Sequence, residues 1–326
     1  MTMPSAPHGP WRFPLRKPPA LRPGARLAVV APASAFDVDA FHAGVAELAG
    51  LGFEASYDPS IFDRAWYVAG TAAVRAAALD RAWRDPSIDG IIAVRGGYGS
   101  VHLLPLLDPD LPRRHPKVFI GYSDITSLHI WLGQLGQVVF QGPMLEGRLA
   151  RGARLALGAE RYDRDTFLRA VTMANPLGEL PAPALEALVP GEAAGPIVGG
   201  TLTQMAASLG TPFAFDPPQG CVLFIEDVAE RPYRLDRLLT QLQLAGILSR
   251  AAAIVLGTFP GCDDPCGDPT ARATLASVLR GFGGPVVFGL PVGHVDGPAL
   301  TLPLGVTARV IAGATSRVII EESAVA

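Results

Sequence analysis

The sequence lacks any apolar run approaching the roughly 20 residues that a membrane-spanning helix needs. Its basic residues are scattered, with no run longer than a pair such as Arg113-Arg114, and its 326 residues carry a net charge of −3. A nucleic-acid-binding domain would instead show a basic patch. The first residues also contain no hydrophobic signal core. We therefore expect neither a membrane nor a nucleic acid as a partner.

Cysteine is scarce, with three in the whole chain. Cys262 and Cys266 flank Asp263-Asp264-Pro265, a spacing that could supply half of a zinc site. Because no second pair and no nearby histidine accompany them, we expect a reduced pair in a loop. Cys221 opens a predicted strand and is expected in the core. No feature requires an oxidising compartment, so the prediction is a cytoplasmic protein without a metal.

Length and composition predict several structural units. Apolar residues make up 49% of the chain, which is ample for buried cores, and 326 residues suggest two domains. The predicted intervals are an extended proline-rich arm at 1–23, an N-terminal domain at 24–147, a linker at 148–194 and a C-terminal domain at 195–326. Within the linker we expect one helix, over 164–172.

Apolar strands alternate with helical segments through the first half. Predicted strands within 25–34, 90–94 and 117–120 are apolar throughout. Such strands, separated by helices, are typical of a parallel sheet covered on both faces. A second α/β unit begins near 196–200 and includes a predicted strand at 221–225. The predicted fold class is therefore α/β.

Ser123 is the first candidate catalytic residue. It lies between the predicted strand 117–120 and an amphipathic helix that ends near Gly136. A serine on a sharp strand-to-helix turn exposes its hydroxyl above the sheet edge, beside the N–H groups of the helix start. This arrangement is typical of a nucleophile elbow. An ordinary helix N-cap is the alternative, because serine is common at helix starts.

A serine nucleophile needs a base, and the base needs an acid that orients it. His294 differs from the histidines in helical runs because it lies in a glycine-flanked loop, where catalytic groups concentrate. Glu226 follows the apolar strand directly, and a carboxylate there requires partners. Asp227 is the adjacent candidate. The structural alternative for Glu226 is a salt bridge to Arg231, Arg234 or Arg237.

The chain order of these three residues matches the nucleophile–acid–base order of α/β-hydrolases. However, the turn reads Gly121-Tyr122-Ser123-Asp124-Ile125 and lacks the second glycine of that motif. We therefore expect the same chemistry on a different fold.

A glycine turn, Arg95-Gly96-Gly97-Tyr98-Gly99, follows another predicted strand. Its backbone N–H groups could bind an oxyanion together with the amide of Asp124. A phosphate cradle for a nucleotide is the rival interpretation. Neither the full G-x-G-x-x-G spacing nor a P-loop lysine is present to support it.

Five motifs, taken in order, resemble those of the LD-carboxypeptidases, serine peptidases that include murein tetrapeptide carboxypeptidases and microcin C immunity peptidases. They are RGGYGS at 95–100, GYSDIT at 121–126, GGTL at 199–202, FIEDVAERPYRLDRLLTQL at 224–242 and GHVDG at 293–297. The resemblance extends from about Arg26 to Leu304. Individually the motifs are weak, but together they are highly specific.

The resemblance implies a catalytic triad of Ser123, Glu226 and His294. It implies an oxyanion hole from backbone amides at Gly96, Gly97 and Asp124. The implied fold is a flavodoxin-like N-terminal domain joined to a smaller α/β C-terminal domain of the swivelling type, with the site at their interface. Family members are typically homodimers and use neither metal nor cofactor.

The implied reaction removes the terminal D-alanine of murein tetrapeptides by hydrolysis of an L,D-peptide bond, during cytoplasmic wall recycling. Such an enzyme must bind a terminal carboxylate, for which arginine is well suited. The candidates are Arg95, Arg231 and Arg234, although each could equally be a surface charge. Thr201 and Gln141 depart from the Asn and His that are common in relatives, and both are expected near the cleft.

Two alternatives stay open. A microcin C-type immunity peptidase would cut an amide that joins an acidic residue to a nucleotide, and Trp66, Tyr67 and Tyr98 could supply its aromatic platform. A protein of another class, a non-catalytic binding protein with two α/β lobes, would close on a small ligand without forming a covalent adduct.

Overall fold

The computed structural model describes residues 11, 14–152 and 161–326. Most of the predicted arm and residues 153–160 of the predicted linker lie outside the described residues. Two sheets organise the rest, one of six strands and one of eight. Within the described residues, no helix combines the length and the apolar character needed to span a membrane.

The N-terminal sheet has the strand order β2-β1-β3-β4-β5-β12. Its strands are β1 (Arg26–Val30), β2 (Glu54–Ser56), β3 (Gly90–Ala93), β4 (Val118–Gly121), β5 (Val139–Gln141) and β12 (Leu302–Leu304). The first five are parallel. Its helices are α1 (Val38–Gly50), α2 (Ala72–Arg84), α3 (Asp110–Arg114), α4 (Thr126–Gln134) and α5 (Ala150–Gly152). Strands β3 and β4 are buried along their whole length, as their continuous apolar character predicts.

The C-terminal sheet has the order β6-β14-β13-β8-β9-β10-β11-β7. Its strands are β6 (Gly178–Glu179), β7 (Glu186–Val189), β8 (Gly191–Thr201), β9 (Cys221–Glu226), β10 (Ala251–Leu256), β11 (Val286–Phe288), β13 (Thr307–Ala312) and β14 (Arg317–Ile320). Helices α7 (Leu202–Ser208), α8 (Pro232–Leu244) and α9 (Ala271–Val278) connect the central strands β8 to β11, which are parallel. The predicted α/β class with a parallel N-terminal sheet and a second domain is confirmed.

The interval 148–194, expected to be a linker, contains ordered elements. Helix α6 (Arg164–Thr172) has the predicted bounds, and Asp163 caps it by accepting a hydrogen bond from the Thr166 amide at 2.7 Å. Strands β6 and β7 of the same interval form the two edges of the C-terminal sheet. The interval therefore completes the second sheet as well as connecting the two halves.

Strand β12 ties the two halves together. It comes from the C-terminal half of the sequence, yet it pairs antiparallel with β5 at the edge of the N-terminal sheet, with Leu302 opposite Gln141. Buried apolar residues of both sheets form one continuous core. Polar residues lie at the carboxyl ends of three strands: Ser123 just after β4, Thr201 at the end of β8 and Glu226 at the end of β9. These residues belong to the candidate site.

Candidate active site

Ser123 follows β4 at a strained turn. Its backbone has φ of +64°, a left-handed conformation that costs a residue with a Cβ about 1–3 kcal/mol. The residues 123–125 form a single helical turn that leads into α4, and Tyr122 rather than Ser123 occupies the N-cap position. Among the described residues the Ser123 hydroxyl has no hydrogen-bond partner. The conformation is therefore that of a nucleophile elbow and not of an N-cap.

His294 and Glu226 are in direct contact. The Glu226 carboxylate oxygen Oε2 lies 2.7 Å from His294 Nδ1 and accepts a second hydrogen bond, at 3.0 Å, from the His294 backbone N–H. The Thr201 hydroxyl donates to the other oxygen, Oε1. A carboxylate beside Nδ1 places the ring proton on that nitrogen, which leaves Nε2 as the basic atom.

Glu226 and His294 each stabilise the charged form of the other. Burial of Glu226 opposes its ionisation, but the charge of His294 and the hydrogen bonds from His294 and Thr201 outweigh it, so the pKa of Glu226 is lowered. Burial also opposes protonation of His294, and the Glu226 carboxylate outweighs that effect, so the pKa of His294 is raised. Both shifts result from the same contact.

Asp227, the competing acid, contacts Thr203 instead of His294. Its carboxylate accepts hydrogen bonds from the backbone N–H and the hydroxyl of Thr203, at 2.9 and 2.7 Å. Burial is the largest influence and raises the pKa of Asp227 to about 6. No salt bridge among the described residues joins Glu226 to an arginine. Glu226, rather than Asp227, is therefore the partner of the histidine.

Ser123 and His294 line one cleft of about 440 Å³. Its walls also contain Gly96, Gly97 and Tyr122. The Tyr122 ring packs edge-on against the imidazole, with ring centroids 5.1 Å apart. The cleft thus brings together the expected nucleophile, the expected base and the glycine turn.

The glycine turn lies against the elbow. A Cβ on Gly96 would be 2.8 Å from the Ser123 Cβ, 3.0 Å from its Oγ and 3.2 Å from the Asp124 amide nitrogen. The Asp124 carboxylate is turned inward, where it accepts a hydrogen bond of 2.8 Å from the Ser100 N–H. The Asp124 amide nitrogen therefore lies beside Gly96, and its carboxylate holds the residue that follows the turn, so the backbone of Asp124 is placed as the expected oxyanion hole requires.

Arg75 anchors the glycine turn through hydrogen bonds to backbone carbonyls. Its buried guanidinium donates to the carbonyls of Gly99 at 2.8 Å, Gly70 at 3.2 Å and Pro32. The Ser34 hydroxyl accepts a hydrogen bond of 3.1 Å from the Tyr98 N–H. These contacts fix the turn to the loop after β1, and sequence reasoning identified neither residue.

The expected substrate-binding residues are dispersed. Arg95 lines the cleft but is paired with Glu146 at 3.2 Å. Arg231 and Arg234 lie at the start of α8, outside the residues that line the cleft, and Arg234 is paired with Glu230 at 3.5 Å. Tyr98 is half exposed beside Tyr67, and Thr201 is buried against Glu226.

Two other arginines escaped sequence reasoning. Arg151 lines the cleft and forms no ion pair with any described residue. Arg148 is buried and donates to the loop that carries His294. Both belong to the sequence Glu146 to Gly152, whose scattered charges resemble those of an ordinary surface segment. No local pattern marks them as part of a site.

The other polar candidates occupy structural positions. His129 is buried, neither of its ring nitrogens has a hydrogen-bond partner among the described residues, and burial lowers its pKa to about 3. Cys221 is buried at the start of β9, as expected, and all three cysteines are free thiols. Among the described residues no cluster of three or more His, Cys, Asp or Glu side chains could hold a metal ion.

The two-domain α/β fold places Ser123 in the same cleft as the Glu226–His294 pair, an arrangement that suits hydrolytic chemistry. Residues 27–142 match the LD-carboxypeptidase N-terminal domain, and residues 194–310 match the LD-carboxypeptidase C-terminal domain. The chain therefore belongs to the LD-carboxypeptidase family.

Similar proteins agree with this assignment. A Bacillus subtilis protein named "Probable murein peptide carboxypeptidase" is 35% identical over 303 residues, 90% of each chain. The crystal structure of muramoyltetrapeptide carboxypeptidase from Oxalobacter formigenes has a TM-score of 0.79 and 29% identity, covering 91% of this chain and 99% of that one. The microcin C7 self-immunity protein MccF of Escherichia coli is 27% identical over 302 residues, 85% of this chain and 86% of that one.

Proposed function

We propose that this carboxypeptidase is a serine peptidase that removes the terminal D-alanine of murein tetrapeptides through Ser123, His294 and Glu226. The observation that carries the proposal is the 2.7 Å contact between Glu226 and His294 Nδ1, in a cleft that the strained Ser123 shares. A cytoplasmic homodimer without a cofactor remains a prediction from the family resemblance.

In the proposed mechanism His294 Nε2 takes the proton of Ser123 as Oγ attacks the carbonyl carbon of the scissile bond. Glu226 holds Nδ1 and stabilises the imidazolium. The oxyanion accepts hydrogen bonds from amides of the glycine turn and of Asp124. Collapse of the intermediate releases D-alanine, whose amine takes the proton from His294. Water, activated by the same base, then hydrolyses the acyl-enzyme.

The charges of the cleft support an exopeptidase. A substrate that ends in a free carboxylate needs a cation near the scissile bond. Arg95 is neutralised by Glu146, whereas Arg151 has no anionic partner among the described residues. We therefore propose Arg151, together with Arg95, as a candidate for binding the substrate carboxylate. Arg231 and Arg234 are weaker candidates for that role.

The test is the release of D-alanine from a murein tetrapeptide. Ser123→Ala should lose nearly all turnover and keep the circular dichroism spectrum of the parent, because the hydroxyl has no structural partner. Ser87→Ala is the control, since Ser87 lies in the turn before β3, at the opposite end of the parallel strands, where its hydroxyl bonds Arg26 and Asp85. A Ser123→Ala variant that retains the parent rate would contradict the proposed nucleophile.

The immunity-peptidase alternative is supported by the likeness to MccF. Hydrolysis of an aminoacyl sulfamoyl adenosine, measured beside the tetrapeptide, separates the two substrate classes by their ratio of kcat/KM. A fluorophosphonate probe addresses the non-catalytic alternative. Mass-spectrometric detection of the adduct on Ser123 would show an activated nucleophile, which a binding protein does not need.

A further inference from the structure

Arg148 is a buried cation that donates to four backbone carbonyls and also hydrogen-bonds the Tyr122 hydroxyl. It lies in the kinked segment 145–149 that follows β5, and its side chain is almost fully buried. Nη1 donates to the carbonyls of Arg161 at 2.8 Å and Gly297 at 2.9 Å, and Nη2 donates to those of Gly293 and Val295, both at 2.9 Å. Three of these four acceptors belong to the loop 293–297 that carries His294.

The charge of Arg148 is not needed for an ion pair. No carboxylate among the described residues forms a salt bridge with it, so the buried guanidinium is compensated by neutral groups, namely the four carbonyls and the Tyr122 hydroxyl. An unpaired buried cation is costly, and a buried apolar side chain would avoid that cost. The planar guanidinium instead offers what an apolar side chain lacks, namely several donors in fixed directions.

The loop that Arg148 holds fits closely against the acid. Gly293 has φ of +77°, and a Cβ at that position would be 2.7 Å from Glu226 Oε2. His294, the next residue, contacts Glu226 through both its backbone N–H and its ring. A small displacement of the loop would therefore lengthen both bonds to Glu226 at once.

We propose that Arg148 is the positioning residue that clamps the loop 293–297, so that His294 meets Glu226 with its backbone N–H and its Nδ1. The clamp extends from the N-terminal half of the sequence to the C-terminal half and so aligns the base with the nucleophile. The proposal rests on the proposed function for its kinetic readout, but not for its structural one.

Four groups influence the proton affinity of His294. Glu226 and Asp227 raise its pKa, Arg148 lowers it, and the neutral Tyr122 ring covers one face. Lysine at position 148 keeps the positive charge but cannot reproduce four hydrogen bonds. A loosened loop weakens the contact with Glu226, so the pKa of His294 should fall while the charge nearby is unchanged.

The decisive variant is Arg148→Lys in the full chain. We expect kcat to fall by about 10² with little change in KM, as a misplaced catalytic group causes, and the acid limb of kcat/KM to move to lower pH. Arg75→Lys is the matched control, because Arg75 is also buried and also donates to backbone carbonyls, but at the glycine turn. In Arg75→Lys the acid limb of the kcat/KM profile should stay at the pH of the parent, even if kcat changes.

Chemical rescue separates positioning from general stability. In Arg148→Ala, added guanidinium should raise kcat at least about tenfold and return the acid limb to its parent position, with no comparable effect on Arg75→Ala. If Arg148→Ala does not fold, Arg148→Lys alone carries the test. A folded Arg148→Lys variant with the kcat and acid limb of the parent would overturn the proposal.

NMR of the resting protein makes failure of the two proposals distinguishable. The His294 Nδ1 proton, which is hydrogen-bonded to Glu226, should give a low-field signal in the parent that weakens or moves upfield in Arg148→Lys. This readout needs no substrate. An unchanged signal contradicts the clamp even if the enzyme is active, whereas a changed signal supports the clamp even if Ser123 is not the nucleophile.

Discussion

At the scale of the residue, Glu226 and Asp227 are neighbours with opposite electrostatic outcomes. Glu226 is fully buried, yet its pKa is lowered, because His294 supplies both a charge and two hydrogen bonds. Asp227 also accepts hydrogen bonds, but it has no cation, and burial raises its pKa to about 6. The contact with the imidazole therefore decides which of the two carboxyl groups has the lower pKa.

That contact predicts the behaviour of Glu226→Gln. The shape is kept and the charge is lost, so we expect a folded protein whose kcat falls by about 10³–10⁴, as removal of an orienting carboxylate does elsewhere. Because Glu226 raises the pKa of His294, the acid limb of kcat/KM should also move to lower pH, where the imidazole would now stay neutral. The measurement is a pH–rate profile on tetrapeptide.

Asp227→Asn is the comparison variant for this prediction. Its carboxylate bonds Thr203 rather than the imidazole, so its acid limb should move far less. A Glu226→Gln variant with the rate of the parent, or one that fails to fold, would instead support a structural role for the carboxylate.

The residues that sequence reasoning could find share a local signature. Ser123, Glu226 and His294 each follow an apolar stretch, where a polar side chain stands out. Arg148 has no such signature, because its acceptors are backbone carbonyls between 13 and 149 positions away in the chain. Any residue type could supply those carbonyls, so the sequence contains no trace of the contact.

At the scale of the element, the glycine turn and the elbow form one unit. Gly96 has no room for a side chain, since a Cβ would overlap Ser123 at 2.8 Å. The turn is braced by Arg75 on its other side and cannot retreat freely. The conflict would therefore be resolved by movement of the serine, which is itself in a strained conformation.

Gly96→Ala should accordingly reduce kcat by about 10²-fold or more, since a displacement of reacting groups by about 1 Å lowers the rate by that factor. The same substitution should destabilise the fold modestly. Gly50→Ala is the matched control: a Cβ there meets nothing within 4 Å, at the last residue of α1. Its activity should equal that of the parent. Tetrapeptide turnover and thermal unfolding of both variants check the prediction, and parent-like turnover of Gly96→Ala would contradict it.

Elements with a strong periodic or continuous apolar pattern were predictable, and short ones were not. The predicted helix 164–172 is confirmed at both ends because an Asp cap and an amphipathic face mark it. Strand β12 is three residues long and contains Pro303, which suits an edge strand but gives almost no signal. Its partner β5 lies in the other half of the chain, so only the folded structure identifies the pairing.

At the scale of the whole molecule, the two halves are joined by more than one connection. Strand β12 extends the N-terminal sheet, Arg148 clamps a C-terminal loop, and the hydrophobic core is continuous. The proposed nucleophile belongs to one half and the acid and base to the other. A catalytic geometry divided in this way requires the halves to fold as one unit.

Leu302→Asp tests that unity. Leu302 is fully buried opposite Gln141, and an unpaired carboxylate there should lower the free energy of unfolding by about 3 kcal/mol or more. All four tryptophans lie within the first 131 residues, so their fluorescence reports the N-terminal half, whereas circular dichroism reports both. In urea the two probes should give coincident transitions, and both should shift although the substitution lies in the C-terminal half.

Leu244→Asp is the matched control, because Leu244 is 84% exposed at the end of α8 and the same chemical change there removes no buried contact. Its transitions should overlay those of the parent. If Leu302→Asp left the fluorescence transition in place and added an earlier phase to the circular dichroism, the halves would unfold independently. Strand β12 would then add a strand to the N-terminal sheet without coupling the stability of the two halves. The alignment of His294 with Ser123 would have to depend on the clamp at Arg148 and on the packing immediately around the cleft.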